Sequence, residues 1–249
     1  MSAERSTTRP SEGNLSVTSG SATALGGRPD NQDRSATGPD WAVVSDGIGG
    51  YAGGAKAAQL TVDWIAAALD GPGTRSPDSI VAAIQGANDA VRLGQRADPD
   101  LAEMGATVTV AAAVGDGWVV ANLGDSPAWL VRDGAAEHLA ETHNVAGELV
   151  RRGTLDPSEA ADHPGQRILL RGVGLEADAA PAVRTVEPQP GDWLIVASDG
   201  LAAGVDPGEF GPYLDGNAPD DAARRLVDAA LAGGATDNVT VVVIAFDRP

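Results

Sequence analysis

Three short apolar runs in the middle of the chain, joined by connections of hairpin length, constrain the fold more than any other feature. They are ATVTVAAAV (106–114), WVVANL (118–123) and PAWLVR (127–132), separated by GDG (115–117) and GDS (124–126). Runs of this length that contain β-branched residues and are bounded by Gly and Asp are typical of strands, and such short connections join antiparallel neighbours. This part of the chain is therefore predicted to form an antiparallel meander.

Helices and further strands flank this meander. Two consecutive helices are expected because apolar residues recur at helical spacing from Ala57 to Leu69 and from Ile80 to Val91. The other expected elements are strands at 15–25, 41–45, 183–187, 192–198 and 238–246 and helices near 145–152, 207–214 and 220–231. Paired helices beside hairpin-connected strands favour an α+β fold, in which packed antiparallel sheets carry helices on their outer faces.

The length of the chain fits one large domain. Its 249 residues contain no long linker, and we expect a disordered tail over residues 1–13 followed by a single domain over 14–249. No apolar run approaches the roughly 20 residues of a membrane span, and the N-terminal residues are too polar for a secretory signal. These features predict a soluble, cytoplasmic protein without a membrane partner, and we expect a monomer.

Composition limits the chemistry that is open to the chain. The sequence has no cysteine and three histidines, which excludes disulfides, thiol catalysis and cysteine-ligated metals and disfavours a His-rich metal site. The formal net charge of −18 argues against nucleic acid as a partner, because nucleic-acid surfaces depend on clustered Lys and Arg. Any metal ion is therefore expected to have oxygen ligands.

The glycine-rich stretch VVSDGIGGYAGG (43–54) allows two interpretations. Its Gly47-x-Gly49-x-x-Ala52 pattern fits a dinucleotide-binding turn between a strand and a helix. The second interpretation rests on Asp46, a carboxylate at the end of a strand. A dinucleotide fold needs a second strand after the first helix, but GPGTRSPDS (71–79) has the composition of a turn. The carboxylate interpretation is therefore favoured.

Four aspartates lie at the ends of apolar strands. Asp46 and Asp199 follow matching phrases, VVSDG and VASDG, while Asp125 lies in the tight connection ANLGDSP and Asp237 precedes the last strand. Each alone is more typical of a turn, but clustered carboxylates would repel one another and lose solvent unless cations joined them. Oxygen ligands favour Mg²⁺ or Mn²⁺, and a pair of such ions can activate water against a phosphoester. Arg28 could bind phosphate or could be a solvated loop charge.

Eight motifs follow one another along the chain. They are RPDNQD (28–33), VVSDGIGGYAGGAKA (43–57), GATVTVAAAV (105–114), WVVANLGDSPAWLVRDG (118–134), HNVAGELVRRG (143–153), RILLRGVG (167–174), PGDWLIVASDGL (190–201) and GGATDNVTVVVI (233–244). In this order they resemble the metal-dependent serine/threonine protein phosphatases of the PPM, or type 2C, family in its bacterial form. The resemblance covers about residues 14–247.

The resemblance implies a four-layer αββα sandwich with two Mg²⁺ or Mn²⁺ ions, and a looser third, at one edge. The implied metal-binding residues are Asp46, which would bridge two ions, the carbonyl of Gly47, Asp199, Asp237 and, with Asp199 for the third ion, Asp125. Asp33 would orient a metal-bound water, and Arg28 would hold the substrate phosphate. Residues of about 145–166 correspond to a mobile flap near the active site that would influence substrate choice.

The implied reaction is hydrolysis of phosphoserine and phosphothreonine in proteins by a water or hydroxide that bridges two metal ions, without a phosphoenzyme. The partners would be phosphorylated protein substrates and an opposing cytoplasmic serine/threonine kinase. One alternative is a pseudophosphatase that uses the same sandwich as a regulatory binding module. A dinucleotide-binding protein is the other alternative.

Three positions depart from the family pattern. Gln32 stands where a Glu usually precedes the motif Asp, so one metal ion would bind more weakly. Pro127 stands where an Arg usually follows GDS, which puts local surface pairing in doubt. Ile48 occupies a position that is His in many eukaryotic members but apolar in bacterial ones, so a metal-bound water would protonate the leaving group. His143 could be a proton donor but is expected to be structural.

Overall fold

The structure, a computed structural model, describes residues 15–248, apart from the side chains of residues 50–52. The tail expected over residues 1–13 lies outside this range. Within the range, no helix is long and apolar enough to cross a membrane.

Two five-stranded antiparallel sheets form the centre of the molecule. The first contains, in spatial order, β1 (Ser16–Ala24), β12 (Val239–Asp247), β11 (Trp193–Ala197), β8 (Ala128–Arg132) and β9 (Ala135–His138). The second contains β10 (Ala182–Val186), β7 (Gly117–Leu123), β6 (Val108–Val114), β3 (Trp41–Ser45) and β2 (Arg34–Gly38). Two short strands, β4 (Gly47–Ile48) and β5 (Gly105–Ala106), pair separately.

Helices cover both outer faces of the paired sheets. The second sheet packs against α1 (Gly50–Leu69) and α2 (Pro77–Ala97), and the first packs against α4 (Asp199–Gly204), α5 (Gly211–Leu214) and α6 (Pro219–Ala232). A third apolar cluster, which includes Val44, Leu194 and Phe246, fills the space between the sheets. The predicted four-layer αββα sandwich of the α+β class is confirmed.

Local sequence explains why α2 forms where it does. Ser76 and Ser79 cap its first turn reciprocally, each side chain accepting from the other's backbone N–H, and Pro77 occupies the first helical position. Ile80 and Ile84, one turn apart, are fully buried against the second sheet. The helix therefore has a defined start and one apolar face.

The predicted meander is wrong in its third strand. β6 and β7 pair as a hairpin in the second sheet, but β8 lies in the first sheet beside β11. The connection GDS carries the chain from one sheet to the other, and its Gly124 has a φ of 122°, a left-handed value that glycine adopts without steric cost. Hairpin spacing alone cannot distinguish a turn within a sheet from this crossing between sheets.

Two edge strands and one short helix also differ from expectation. β2 and β9 were not predicted, because their sequences RSATG and AAEH carry few apolar residues and each strand pairs along one side only. The helix expected near 207–214 is divided into a 3-10 turn, Pro207–Glu209, and the four-residue α5.

Strand directions bring five aspartates to one edge of the sandwich, which we call the carboxylate edge. Asp46 follows β3, and Asp33 precedes its antiparallel neighbour β2. Asp199 follows β11, and Asp237 precedes the antiparallel β12. Asp125 lies in the crossing from β7 to β8. Ends of antiparallel neighbours coincide, so residues far apart in sequence become neighbours here.

Thr107 ties the carboxylate edge together. Its N–H donates to the carbonyl of Asp46 at 2.8 Å, and its Oγ1 accepts from the N–H of Asp46 at 3.0 Å. The same hydroxyl lies 2.6 Å from Oγ of Ser126, and Oγ of Ser45 donates to the Thr107 carbonyl at 2.6 Å. This buried residue therefore links the end of β3, the start of β6 and the crossing to β8.

Thr107→Val keeps the side-chain shape but removes the hydroxyl that Asp46 and Ser126 use. We expect the free energy of unfolding to fall by about 1–3 kcal/mol, because buried polar groups are left without partners. Urea denaturation measures the change. Thr37→Val, at an exposed position of β2, serves as the control and should change stability by less than about 0.5 kcal/mol. Equal effects of the two substitutions would contradict the assigned role of Thr107.

Candidate active site

The glycine-rich turn after β3 is packed too tightly for side chains. A Cβ at Gly47 would lie 2.3 Å from the backbone carbonyl of Gly54, and a Cβ at Gly54 would lie 2.1 Å from Oε1 of Gln32. These glycines bring the start of α1 and Gln32 against the strand end that carries Asp46. The chain then passes from α1 to α2 without a parallel strand, so the dinucleotide interpretation is wrong.

Asp33 is the most deeply buried of the clustered carboxylates, at 4% exposure. Ser198 Oγ donates to its Oδ2 at 2.7 Å, and its backbone N–H donates to Asn31 Oδ1 at 3.0 Å. Its Oδ1 is buried and has no hydrogen-bond partner among the described residues. One oxygen of Asp33 is thus fixed and the other is available to a ligand.

Asp199 begins α4 and likewise keeps a buried Oδ1 without a described partner. Its neighbour across the strand ends, Asp237, is different, because both of its oxygens are engaged. Arg28 donates to Oδ2 of Asp237 at 2.5 Å, and the N–H of Asn238 donates to Oδ1 at 2.8 Å. Arg28 therefore lies at the carboxylate edge with more than half of its side chain exposed.

Asp125 is held by the segment that leads into the flap. Asn144 Nδ2 donates to Asp125 Oδ2 at 3.2 Å, and Oδ1 of the same Asn144 caps α3 (Val145–Arg151) by accepting from Gly147. His143 Nδ1 accepts from the N–H of Gly124 at 3.1 Å, so the proton of a neutral ring lies on Nε2. His143 and Asn144 therefore hold Gly124 and Asp125 of the crossing in place, and Asn144 also caps the start of α3.

Burial and mutual repulsion disfavour negative charge at this edge. Burial, followed by repulsion from Asp125, Asp237 and Asp33, raises the pKa of Asp199 to about 7. Asp46 keeps some exposed surface, but dense packing and four neighbouring carboxylates raise its pKa well above the usual range. Burial also raises the pKa of Asp33 and of Asp125. Without cations, some of these groups hold protons near neutral pH.

A divalent cation fits this donor set. Hard ions prefer carboxylate oxygens, and Asp33 and Asp199 each provide a buried oxygen with no hydrogen-bond partner in the described part of the chain. Among residues 15–248, however, no three acidic or histidine side chains stand in an arrangement that could hold an ion as it is. In this arrangement Asp237 is bonded to Arg28.

His143 supports the expectation of a structural role. The residue is 4% exposed, and burial lowers the pKa of its imidazole. Its Nε2 has no hydrogen-bond partner in the described part of the chain and lies 3.7 Å from Oε1 of Glu141. The neutral ring therefore anchors the crossing at Gly124 and is not placed at the centre of the carboxylates.

Several residues that shape the site were missed by reasoning from the sequence. Ser198 links Asp33 to β12 by donating to Asp33 and accepting from the N–H of Thr240 at 2.9 Å. Asn238 accepts from the N–H of Gln32 and donates to the carbonyls of Leu25 and Asp30. Ser198 precedes Asp199 and Asn238 follows Asp237 in the sequence. A polar residue next to a candidate aspartate was therefore the signal that could have identified them.

The segment expected to form a flap consists of short elements beside Asp125. It contains α3 and two 3-10 turns, Pro157–Glu159 and Pro164–Arg167. Its backbone is joined to the sandwich through Val145 N–H to Ile168 O and Leu170 N–H to His143 O.

Two named phosphatases are similar to this chain in sequence. PstP, a serine/threonine protein phosphatase of Mycobacterium tuberculosis, is 33% identical over 218 residues, which are 87% of this chain but 42% of that protein. This chain thus spans less than half of that relative's length. The serine/threonine phosphatase stp of Listeria monocytogenes is 29% identical, with 82% of this chain and 84% of that protein covered.

Solved structures agree with the fold. The PPM Ser-Thr phosphatase MsPP of Mycobacterium smegmatis, in complex with cacodylate, has 35% identity and a TM-score of 0.83 over 92% of this chain and 97% of that one. The catalytic domain of PstP in complex with two manganese ions has 30% identity and a TM-score of 0.84 over 94% and 100%.

The family model for Protein phosphatase 2C matches residues 26–231, which include Arg28, Asp33, Asp46, Asp125 and Asp199. Asp237 lies beyond the match, just before β12. With well over half of its length matched to this model and its fold shared with solved members, the chain belongs to the protein phosphatase 2C family.

Proposed function

We propose that the protein hydrolyses phosphoserine and phosphothreonine in proteins with the help of two Mg²⁺ or Mn²⁺ ions at the carboxylate edge. The observation that carries the proposal is the gathering of five aspartates at one edge, four of them with a raised pKa. Repulsion and burial of so many carboxylates destabilise the folded state unless cations neutralise their charge. Pairs of divalent ions are a common means of hydrolysing phosphoesters.

Each carboxylate has a proposed role. Two ions would be held by Asp46, the carbonyl of Gly47, Asp199 and Asp237, and a third, looser one by Asp125 with Asp199. When bound, the ions would supply an activated water and neutralise charge on the phosphoryl oxygens. The two-manganese structure of the PstP catalytic domain supports this assignment by similarity.

Arg28 is proposed to bind the substrate phosphate, and Asp33 is proposed to orient the attacking water. Arg28 is exposed and can present two N–H donors to a phosphate, which binds guanidinium in bidentate fashion. Its ion pair with Asp237 keeps the side chain at the edge before a substrate arrives, and phosphate would take the place of Asp237. Asp33 Oδ1 is free to accept a proton from the attacking water, while Ser198 holds Oδ2 in place.

The proposed partners are phosphorylated proteins and an opposing serine/threonine kinase, and the proposed location is the cytoplasm, with the chain acting as a monomer. The names of the relatives support phosphoprotein substrates. We further propose that residues 14–249 form one phosphatase domain, because β1 and β12, the first and last strands of the described chain, pair with each other in the first sheet.

Phosphate release from a phosphothreonine peptide tests the activity. We expect Mn²⁺-dependent turnover that falls by more than about 100-fold in Asp46→Ala and in Asp199→Ala, because both remove proposed ligands. Asp116→Ala, in the exposed turn between β6 and β7, is the control and should retain activity. Equal turnover in the presence of a chelator would refute the proposal. Peptide binding without any turnover would instead favour the pseudophosphatase alternative.

The stability of metal-free protein should depend on pH through Asp199. Its pKa is about 7 in the folded state against about 3.9 unfolded, so the unfolded state loses its proton first and stability falls as pH rises between these values. From pH 5.5 to 8 the fall is about 2 kcal/mol, or roughly 4–8 °C in Tm. Scanning calorimetry with a chelator should show this fall, and Asp199→Asn should show less of it.

Added Mn²⁺ should raise Tm more at pH 8 than at pH 5.5, because protons compete with metal ions for the carboxylates. A metal-free Tm that does not fall between these pH values relative to Asp199→Asn would contradict the assigned burial of this charge.

Gln32→Glu restores the charge that the family pattern predicts beside Gly47 and Gly54. We expect the Kd for Mn²⁺ to decrease by about tenfold, since affinity rises with the charge of the ligand set. Isothermal titration calorimetry measures it. Gln189→Glu, exposed at the opposite end of β11, should leave the Kd unchanged. An unchanged Kd in Gln32→Glu would show that Gln32 lies outside the metal site.

A further inference from the structure

A cavity of about 430 Å³ lies directly beside the carboxylate edge. One side of it is formed by the start of β8 and the end of β9, and the other side by α3 and the 3-10 turn that follows. Asp125 and Asp199 contribute to its lining. The cavity therefore borders the part of the carboxylate edge that Asp125 and Asp199 form.

Apolar side chains form much of the cavity wall. They are Pro127, Trp129, Ala140, Ala146, Val150 and Ala160. Trp129 is held from behind by an edge-to-face contact with Phe210, with ring centroids 5.1 Å apart, and its ring also lies 5.6 Å from that of His138. The largest side chain of the wall is thus fixed before any ligand enters, which lowers the entropic cost of binding.

The one arginine in the described lining of the cavity is already paired with carboxylates. Arg151 is bonded to Glu148 and lies 3.9 Å from Glu141. An anion in the interior would meet Asp125 and Asp199, and a basic group would meet the field of bound metal ions during turnover. An uncharged, apolar occupant is the one that this lining favours.

We propose that this cavity is a substrate subsite that receives a Leu- or Phe-sized side chain located one to three residues from the phosphorylated Ser or Thr. The proposal rests on the proposed function, because the phosphate at the carboxylate edge fixes where the substrate chain begins. An extended chain advances about 3.3–3.6 Å per residue, so neighbouring side chains are the ones that reach the cavity. Pro127, in place of the expected Arg, keeps a cation out of the wall.

Phosphothreonine peptides test the subsite. In a Gly-rich parent peptide, each position from three before to three after the phosphothreonine is replaced in turn by Phe, Leu, Glu or Lys, and kcat/KM is measured with Mn²⁺. We expect one fixed position at which Phe or Leu exceeds Gly by about tenfold or more, the range typical of an apolar pocket. A profile without such a position would overturn the proposal.

Cavity variants then connect the preference with this place in the fold. Ala160→Phe fills the cavity from the half-buried turn and should reduce the Phe-to-Gly ratio to less than about twofold. Ala67→Phe, on the exposed face of α1, is the matched control and should keep the ratio. As a second variant, Pro127→Arg should shift the preference from Phe toward Glu. A ratio that survives in both cavity variants would overturn the proposal.

A phosphoester without a peptide chain distinguishes failure of the subsite proposal from failure of the proposed phosphatase activity. Turnover of para-nitrophenyl phosphate with Mn²⁺ reports the hydrolase alone, and its absence would contradict the proposed function. In that case the subsite is tested by the affinity of the same peptides, measured by fluorescence anisotropy. Tighter binding of the Phe peptide than of the Gly peptide, lost in Ala160→Phe, would support the subsite, and equal binding would overturn it.

Discussion

Burial and mutual repulsion disfavour negative charge on the aspartates of the carboxylate edge, and the surrounding structure holds them together despite this cost. Antiparallel pairing places the end of β3 beside the start of β2 in one sheet and the end of β11 beside the start of β12 in the other, and an Asp flanks each of these strand ends. Packing of the two sheets then brings the two pairs to one edge. Hydrogen bonds from Ser198, Asn144 and Asn238 stabilise parts of these carboxylates. Buried oxygens of Asp33 and Asp199 still have no hydrogen-bond partner among residues 15–248. The fold thus tolerates a local cost that divalent cations would remove, which is typical of a functional site.

The rigid surroundings of this edge explain how the cost is tolerated. Apolar clusters lie between the sheets and beneath the helices on both sides, and Thr107 and Ser126 join the two sheets at the crossing. Arg28 neutralises part of the charge through Asp237. Because Arg28 can exchange this partner for a phosphate, the same contact that stabilises the metal-free edge would also prepare the substrate site.

Local sequence patterns predicted most helices and strands, but they did not predict which strands pair or in which sheet each strand lies. Helical spacing in α1 and α2 and apolar runs in β3, β6, β7, β11 and β12 identified these elements, and matching phrases singled out Asp46 and Asp199. The crossing after β7 was missed because a GDS connection is compatible with either sheet. Ser198 and Asp33, 165 residues apart, meet only through the topology, which no local pattern contains. The weak strands β2 and β9 form because a stronger neighbour supplies their hydrogen bonds.

Anomalous diffraction from crystals soaked in Mn²⁺ would show whether the carboxylate edge holds a pair of divalent ions. We predict two peaks roughly 3.5–4 Å apart, with the Asp46 carboxylate between them and Asp237 turned away from Arg28. A map with no peak at this edge under saturating Mn²⁺ would show that the edge does not hold these ions.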